Sequence, residues 1–141
     1  MALSSDFICG FCGETEEMFD DTLDLMEQVR YDMAYMFAYS LREKTHAHRR
    51  MEDDVPEPVK KDRLSRMIEV FKRRQMERQI EEIGRIHEVL VDKRGRDEGQ
   101  LSGLTDTNKR VILSDGGCQI GDMIKAKVTH VGQNTLFVDK I

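Results

Sequence analysis

The sequence predicts an α+β protein that consists of a βαβ unit, a linking helix and a small antiparallel β-barrel. Three observations carry this prediction: a strand–helix–strand pattern in residues 1–50, a basic helical stretch in residues 51–85, and β-rich runs separated by turn residues in residues 86–141. The 141 residues are 39% hydrophobic and 35% charged, which is typical of a soluble globular protein. No apolar run approaches the length of a bilayer span, and the first residues do not resemble a signal peptide.

The first segment begins with a strand that ends in the letters DFIC and is followed by a turn containing Gly10 and Gly13. Thr15 is expected to cap a helix whose first turn holds two glutamates, the charge favoured at that end. Residues 33–40, MAYMFAYS, are continuously apolar, which suits a parallel strand covered on both faces. Strand, helix and strand together predict a βαβ unit.

Functional groups of a βαβ unit lie at the carboxyl ends of its strands. Here these ends are residues 10–14 and the loop after Ser40. A single unit of this kind cannot hide its own sheet edges. We therefore expect the first segment to be the end of a larger α/β domain.

The second segment is a basic helix. Pro56 and Pro58 suit its first turn, and Gly84 is a candidate stop. An apolar stripe recurs at helical spacing, at Leu64, Met67, Ile68 and Phe71. Residues 60–78 carry eight basic and three acidic side chains, whereas residues 1–40 carry nine acidic and one basic. The basic stretch is either a solvated helix face or a contact for RNA phosphates, and both interpretations stay open.

The third segment has the periodicity of strands. The β-rich runs IHEVLVD, KRVILS, GDMIKAKVTHV and NTLFVD are separated by Gly, Asp and Asn, which predicts a small antiparallel barrel. In the run IKAKVTHV, the apolar positions alternate with Lys125, Lys127 and Thr129. We therefore predict an apolar interior and a basic outer face.

Cys9 and Cys12 form a C-x-x-C pair, a spacing shared by metal sites, redox dithiols and unrelated cysteines. The Trp and Pro that flank thioredoxin-like dithiols are absent, which favours loop and core cysteines and leaves redox and metal roles open. Cys118 makes the cysteine number odd, and this favours a reducing compartment. His46 and His48 would share one side of a strand, but a zinc site needs two further ligands. We predict no metal site.

Four motifs, in order along the chain, resemble the radical-SAM methylthiotransferases of the MiaB type. DFICGFCGETEE is similar to their D-x-I-x-G-F-P-G-E-T-E-E signature, FAYSLREKTHAH to F-x-Y-S-x-R-x-G-T-x-A, and DDVPEPVKKDRL to D-x-V-P-x-x-V-K-x-x-R-L. LSGLTDTNKRVIL, followed by IGDMIKAKVTHVGQNTL, resembles the TRAM domain that ends these enzymes. Cysteine in place of proline at position 12 is most similar to the animal branch, whose members are associated with a cyclin-dependent-kinase activator.

The resemblance implies a fold and a reaction for the whole enzyme. Residues 1–50 would be the end of a partial (β/α) radical-SAM barrel, residues 51–85 a linking basic helix, and residues 86–141 an OB-like TRAM β-barrel that binds RNA. The implied reaction is methylthiolation of an isopentenyl-adenosine beside the tRNA anticodon, by radical insertion of sulfur and a methyl group into a carbon–hydrogen bond. The cofactors implied for the full-length family are S-adenosylmethionine and [4Fe–4S] clusters.

The cysteines depart from the family pattern. The family binds its radical cluster with C-x-x-x-C-x-x-C and a second cluster with three further cysteines, whereas this chain has three cysteines in total. Met1 is expected to fall just before the last part of the barrel. We therefore expect no cofactor to bind this chain alone, and no methylthiotransferase activity from it. Cluster absorbance and S-adenosylmethionine cleavage after anaerobic reconstitution would contradict this expectation.

The resemblance implies three sets of site residues, and no catalytic residue or metal ligand. The loop after the first strand would border the S-adenosylmethionine pocket through Ile8, Gly10, Gly13 and Glu14. The end of the second strand would contact substrate through Tyr39, Arg42 and Thr45, although the family's glycine before Thr45 is Lys44 here. In the TRAM-like part, the candidates for RNA phosphate binding are Lys109, Arg110, Lys125 and Lys127. A plain βα turn and surface ion pairs are the open alternatives.

Phe137 is the only aromatic residue of the third segment, which disfavours base stacking and favours electrostatic, salt-sensitive binding. Leu104 stands where the family commonly has arginine, and Phe137 stands near its glycine. These two changes imply weaker RNA binding than is usual in the family.

The leading hypothesis is therefore the C-terminal part of a tRNA methylthiotransferase that retains RNA binding. Its expected partner is tRNA, and a protein partner is a further option. We expect a monomer that does not bind a membrane. The family resemblance implies the mitochondrion or the cytoplasm. The alternatives are a truncated protein-interaction module without chemistry and a thioredoxin-like dithiol oxidoreductase.

Overall fold

The computed structural model describes residues 2–114 and 116–141, which fold into two compact units, residues 3–75 and residues 76–141. None of the helices in the described part of the chain combines the length and the apolar character that a bilayer span requires. The division of the chain into segments at residues 1–50, 51–85 and 86–141 stays a prediction.

The unit of residues 3–75 contains, in order, β1 (Ser4–Cys9), α1 (Glu16–Val29), β2 (Met33–Ala38), α2 (His46–Arg50) and most of α3 (Glu57–Ile80). β1 and β2 pair in parallel, which confirms the predicted βαβ unit. Thr15 caps α1 as predicted, because its side-chain oxygen accepts a hydrogen bond of 3.2 Å from the amide of Met18.

Helices cover only one face of the two-stranded sheet. The buried cluster on that face comprises Phe7, Cys9, Phe19, Met26 and Met67. On the opposite face Tyr35 is 56% exposed, Phe37 52% and Ile8 57%. The prediction that β2 is covered on both faces was therefore wrong, because its burial alternates along the strand.

The histidine pair also differs from expectation. His46 and His48 lie in the short helix α2, not in a strand. The oxygen of Thr45 accepts a hydrogen bond of 3.2 Å from the amide of His48, and this cap starts a helical turn. Most of the predicted apolar stripe of α3 packs on the buried cluster: Met67 is fully buried, and Leu64 and Phe71 pack against it, whereas Val70 takes the place expected for Ile68.

The unit of residues 76–141 is dominated by a closed five-stranded barrel with the strand order β3-β4-β5-β7-β6. Its strands are β3 (Ile86–Arg94), β4 (Gln100–Thr105), β5 (Arg110–Ser114), β6 (Met123–Val131) and β7 (Leu136–Lys140). The prediction of an antiparallel barrel needs one correction. β5 and β7 pair in parallel, while the antiparallel pairing of β3 with β6 closes the barrel.

Strand β4 was not among the predicted β-rich runs, because QLSGLT has little β-branched or aromatic character. Gly103 explains its composition. A Cβ at this position would lie 2.6 Å from the carbonyl oxygen of Leu90, so only glycine permits the close approach of β3 and β4.

The barrel interior is apolar, as the alternation in β6 predicts. Ile124, Ala126 and Val128 point inward, whereas Lys125 and Lys127 are exposed. The buried cluster consists of Val89, Val91, Leu101, Val111, Leu113, Cys118, Ile124, Ala126, Val128, Leu136 and Val138. A closed barrel buries these side chains and leaves no open sheet edge.

The chain enters the barrel through a short turn after α3. The helix ends at Ile80, four residues before the predicted stop at Gly84. Gly84 adopts φ 86°, which favours glycine, and its amide donates to the carbonyl of Val128 at 2.8 Å.

Candidate functional site

The loop between β1 and α1 contains two glycines with left-handed backbone conformation. Gly10 and Gly13 adopt φ values of 71° and 78°, in the left-handed region. The amide of Gly10 donates to the Glu14 carboxylate at 2.7 Å, and the amide of Gly13 donates to the Asp54 carboxylate at 2.7 Å. These two amides are therefore already satisfied within the chain.

Arg63 of α3 connects the first motif to the third. Its side chain is only 5% exposed, and its Nη1 donates to the Glu14 carboxylate at 2.7 Å and to the Glu14 carbonyl at 3.2 Å. Its Nε and Nη2 donate to Glu16 at 3.2 Å and 3.1 Å. Glu14, expected to border a cofactor pocket, thus holds the loop to α3 through a buried charge-assisted pair.

Lys60 fills the space that Gly10 leaves. A Cβ on Gly10 would lie 2.4 Å from Cγ of Lys60, so the close approach that this glycine permits is to a side chain of α3. Lys60 is 1% exposed, and its ammonium donates to Asp53 at 2.6 Å and to Glu57 at 3.2 Å. Burial opposes the charge of Lys60, but the hydrogen bonds to both carboxylates outweigh burial and raise its pKa.

Cys9 and Cys12 are buried free thiols. The Cys9 thiol donates to the carbonyl of Phe37 at 3.6 Å and to the carbonyl of Lys60 at 3.7 Å. Burial, followed by the nearby charge of Glu14, raises the pKa of Cys9. A buried thiol with a raised pKa is a poor nucleophile at neutral pH, so the geometry does not support a dithiol oxidoreductase.

The described residues do not fit an iron–sulfur cluster, because nowhere among them do three or more His, Cys, Asp or Glu side chains converge in a way that could hold a metal. Ile8, the fourth predicted cofactor residue, presents its side chain on the exposed sheet face. The predicted contacts of Ile8, Gly10, Gly13 and Glu14 with S-adenosylmethionine stay a prediction.

The predicted substrate residues fall into two places. Tyr39 packs edge-to-face on Phe11 of the β1–α1 loop, with ring centroids 5.0 Å apart. Arg42 and Thr45 meet in the following turn, where the Thr45 hydroxyl donates to the Arg42 carbonyl at 2.8 Å. Lys44 adopts φ 70°, so the turn keeps the left-handed backbone for which the family's glycine is suited.

The predicted RNA-binding cations of the barrel also form two groups. Lys109 donates to Glu82 at 2.8 Å, and Arg110 donates to the two oxygens of Asp92 at 2.6 Å and 2.7 Å. The hydrogen bond from Arg110 lowers the pKa of Asp92. Lys109 and Arg110 are therefore paired with carboxylates of the same unit, which reduces the positive charge that they offer to RNA.

Lys125 and Lys127 are different, because both are exposed on the outer face of β6. Their neighbours Ile124 and Ala126 are buried, so the strand presents its two lysines to solvent by simple alternation. The pairing register sets Lys125 beside Glu88 of β3 and Lys127 beside Asp139 of β7. This face therefore combines accessible positive charge with two flanking carboxylates.

Sequence reasoning missed Glu82, which lies in the turn before β3. Its side chain is 7% exposed and accepts hydrogen bonds from Lys109 at 2.8 Å and from His87 at 2.8 Å. Burial opposes ionisation, but the hydrogen bonds from Lys109 and His87 outweigh burial and lower the pKa of Glu82. Only the fold brings these three residues together, so no local pattern could have found the cluster.

Sequence reasoning also missed a ring pair on the outer face. The rings of His130 and Phe137 are stacked, with centroids 4.1 Å apart and an interplanar angle of 7°. A register shift between Val128 and His130 places His130 opposite Phe137. Strict alternation would have turned His130 inward, so the pattern alone predicted no such pair.

Comparisons with known proteins agree with this geometry. Residues 81–141 match the TRAM domain family. The chain is 48% identical over 139 residues to the tRNA-2-methylthio-N(6)-dimethylallyladenosine synthase of Porphyromonas gingivalis, covering 96% of the chain and 30% of that protein. It is 41% identical to a CDK5RAP1-like protein of Oryza sativa, covering 100% of the chain and 26% of that protein.

The human relative is named mitochondrial tRNA methylthiotransferase CDK5RAP1 and is 39% identical over 149 residues, covering 96% of the chain and 25% of that protein. The chain thus spans between a quarter and three tenths of the length of these three relatives. The alignments extend over nearly the whole chain and include the closed barrel. Over nearly its whole length the chain is therefore similar to the carboxyl-terminal part of tRNA methylthiotransferases, and its residues 81–141 match the TRAM domain family.

Proposed function

We propose that this chain corresponds to the carboxyl-terminal part of a tRNA methylthiotransferase and that its β-barrel binds tRNA. One observation carries the second half of this proposal: the outer face of β6 presents Lys125 and Lys127 to solvent. The other predicted contacts, Lys109 and Arg110, form ion pairs with Glu82 and Asp92. Lys125 and Lys127 are therefore the main phosphate contacts of the barrel.

Binding through two exposed lysines is electrostatic. Each lysine that neutralises a phosphate releases condensed counterions, so the affinity falls as salt rises. The net charge of the chain is −5, so long-range attraction of RNA by the whole chain is not expected. Binding therefore depends on a local cluster of positive charge.

Residues 3–75 are, in this proposal, the last strands and helices of the radical-SAM barrel. The exposed apolar side chains of Ile8, Tyr35 and Phe37 support this, because such a sheet face requires a cover. The remaining length of the relatives would supply the missing strands. S-adenosylmethionine and [4Fe–4S] clusters would supply the methyl group, the sulfur and the radical chemistry in the whole enzyme.

The 141 residues alone are expected to be inactive as a methylthiotransferase, because three cysteines cannot form the cluster motif. What they retain is RNA binding. The name of the human relative supports a mitochondrial location for the whole enzyme.

The test is a titration of fluorescently labelled tRNA with the full chain at about 50 mM and about 200 mM salt. Two phosphate contacts predict an affinity about tenfold lower at the higher salt. The variant Lys125→Glu/Lys127→Glu should bind at least tenfold more weakly and with a flatter salt dependence. The matched control is Arg94→Glu/Arg96→Glu, which changes the net charge equally at two exposed barrel positions and should bind much more tightly than the first variant.

A second candidate function is a protein-interaction module without chemistry. The exposed apolar face of the two-stranded sheet specifically favours it. Absence of tRNA binding even at low salt would contradict the first proposal and favour the second. Equal losses in the two charge-reversed variants would show that binding is not centred on β6.

A further inference from the structure

The rings of His130 and Phe137 stack on the outer face of the barrel. His130 is exposed and Phe137 is half-buried, so the stack lies at the surface and not in the core. The centroids are 4.1 Å apart and the rings are nearly parallel. Phe137 covers one face of the His130 ring, and His130 remains accessible to solvent.

The backbone holds this ring on the outer side of β6. In a regular strand His130 would follow Val128 to the interior, because side chains repeat with a period of two. The register shift between Val128 and His130 instead sets His130 beside Phe137 of β7. Bulges of this type re-aim side chains next to functional sites.

A neighbouring side chain fixes the pair further. The Thr129 hydroxyl lies 3.3 Å from Nδ1 of His130 and 3.2 Å from the carbonyl oxygen of Phe137. The stack, the bulge and this hydroxyl together restrict the orientation of the His130 ring. A rigid ring loses little conformational entropy when a second ring stacks on it.

Positive charge lies on the same strand and the same face. Lys127 is exposed three residues before His130. Single-stranded nucleic acids bind where a basic surface contacts the backbone and aromatic rings stack on the bases. The outer face of β6 offers both elements within a short length of strand.

We propose that His130, supported from behind by Phe137, is a stacking platform for one unpaired RNA base, while Lys125 and Lys127 contact adjacent phosphates. This inference rests on the proposed RNA binding and names the part of the RNA that the barrel selects. The base must be unpaired, because a base inside a duplex already has neighbours on both faces. The ligand is therefore a single-stranded loop or end and not a helical stem.

The test uses the full chain and a seven-nucleotide single-stranded RNA with 2-aminopurine at its centre. The fluorescence of this base falls when it stacks. The wild type should quench it, and His130→Ala should bind about fivefold or more weakly and lose the quenching. His130→Phe keeps a ring at this position and should retain both properties.

Two controls isolate the stacking. Met123→Ala shortens a side chain that is 64% exposed at the other end of the same strand, and it should leave affinity and quenching unchanged. A heptanucleotide with an abasic centre should bind the wild type more weakly than the parent RNA. His130→Ala should bind both RNAs equally, because the platform is gone.

The outcomes separate the two proposals. If the wild type binds both RNAs equally, or if His130→Ala retains affinity and quenching, the platform is wrong and the electrostatic binding by Lys125 and Lys127 stands. If the wild type binds neither RNA at low salt, the proposed RNA binding fails, and the platform fails with it.

Discussion

Residues 3–75 and the barrel of residues 76–141 differ in the closure of their sheets and in the placement of their predicted functional cations. In residues 3–75 the cations Lys60 and Arg63 are buried and paired, while Tyr35 and Phe37 are more than half exposed. The first unit therefore buries these two cations in ion pairs and leaves apolar side chains exposed on one face of its sheet.

In the barrel a closed interior holds one large apolar cluster, and Lys125 and Lys127 lie exposed on the outer face, together with exposed apolar side chains such as Met123. Closure removes the sheet edges, whereas a two-stranded parallel sheet keeps both edges and one uncovered face. The barrel therefore closes its own sheet, whereas the two-stranded sheet of residues 3–75 leaves apolar side chains exposed on one face.

The largest expected effect is the loss of a buried charge pair in residues 3–75. Arg63→Leu leaves the Glu14 carboxylate, 13% exposed, without its cation, and should lower the free energy of unfolding by about 3–5 kcal/mol. Urea unfolding followed by circular dichroism measures this. Arg66→Leu removes the same charge at a side chain that is 36% exposed, and should cost about 1 kcal/mol or less. If both variants lowered the free energy of unfolding equally, the buried pair would not be stronger than the solvated one.

The glycines of the β1–α1 loop give the next largest effect. Gly10→Ala combines left-handed backbone strain with a contact 2.4 Å from Cγ of Lys60, and should destabilise by about 3 kcal/mol. Gly13→Ala has the same backbone strain but no atom within 4 Å, so it should cost about 1–2 kcal/mol. Thermal unfolding of both variants checks the difference, and a smaller loss for Gly10→Ala than for Gly13→Ala would contradict it.

A pH dependence is expected from the barrel. The folded state lowers the pKa of Glu82 below its usual value, so the stabilisation by its hydrogen bonds is complete above about pH 4.3 and is lost as the pH falls through the lower, folded pKa. Glu82→Gln should cost about 2 kcal/mol at pH 7 and flatten the decline in acid. Unfolding free energies of both proteins between pH 7 and pH 3 measure this. Parallel pH profiles would show that Glu82 is not the group responsible.

The smallest effect is expected on the open face of the sheet. Tyr35→Ser and Phe37→Ser should each change the free energy of unfolding of this chain by about 0.5 kcal/mol or less, because neither side chain is buried. Val111→Ala in the barrel, where Val111 is 0% exposed, should cost about 2 kcal/mol. A loss of similar size at Tyr35 or Phe37 would mean that the face is already covered.

Much of the architecture could be predicted because it depends on local patterns. The cap at Thr15, the parallel pairing of β1 and β2, and the inward face of β6 follow from residue type and periodicity. The burial of β2 could not be predicted, because an apolar run does not reveal how many faces are covered. β4 was missed because its sequence fits a close contact at Gly103 and not a typical strand.

The candidate site was predictable to a smaller extent. The exposed lysines of β6 follow from alternation, but the pairing of Lys109 with Glu82 depends on chain segments 27 positions apart. The stack of His130 on Phe137 depends on a bulge that breaks the alternation. Contacts between distant segments and departures from a regular register are the features that a single sequence does not reveal.

We propose that the barrel binds tRNA through the outer face of β6 and β7. Photo-crosslinking of 4-thiouridine-labelled tRNA to the full chain, followed by mass spectrometry of the cross-linked peptides, tests it most directly. Cross-links are expected within residues 123–140, and they should be lost in Lys125→Glu/Lys127→Glu. Cross-links confined to residues 3–75 would contradict it.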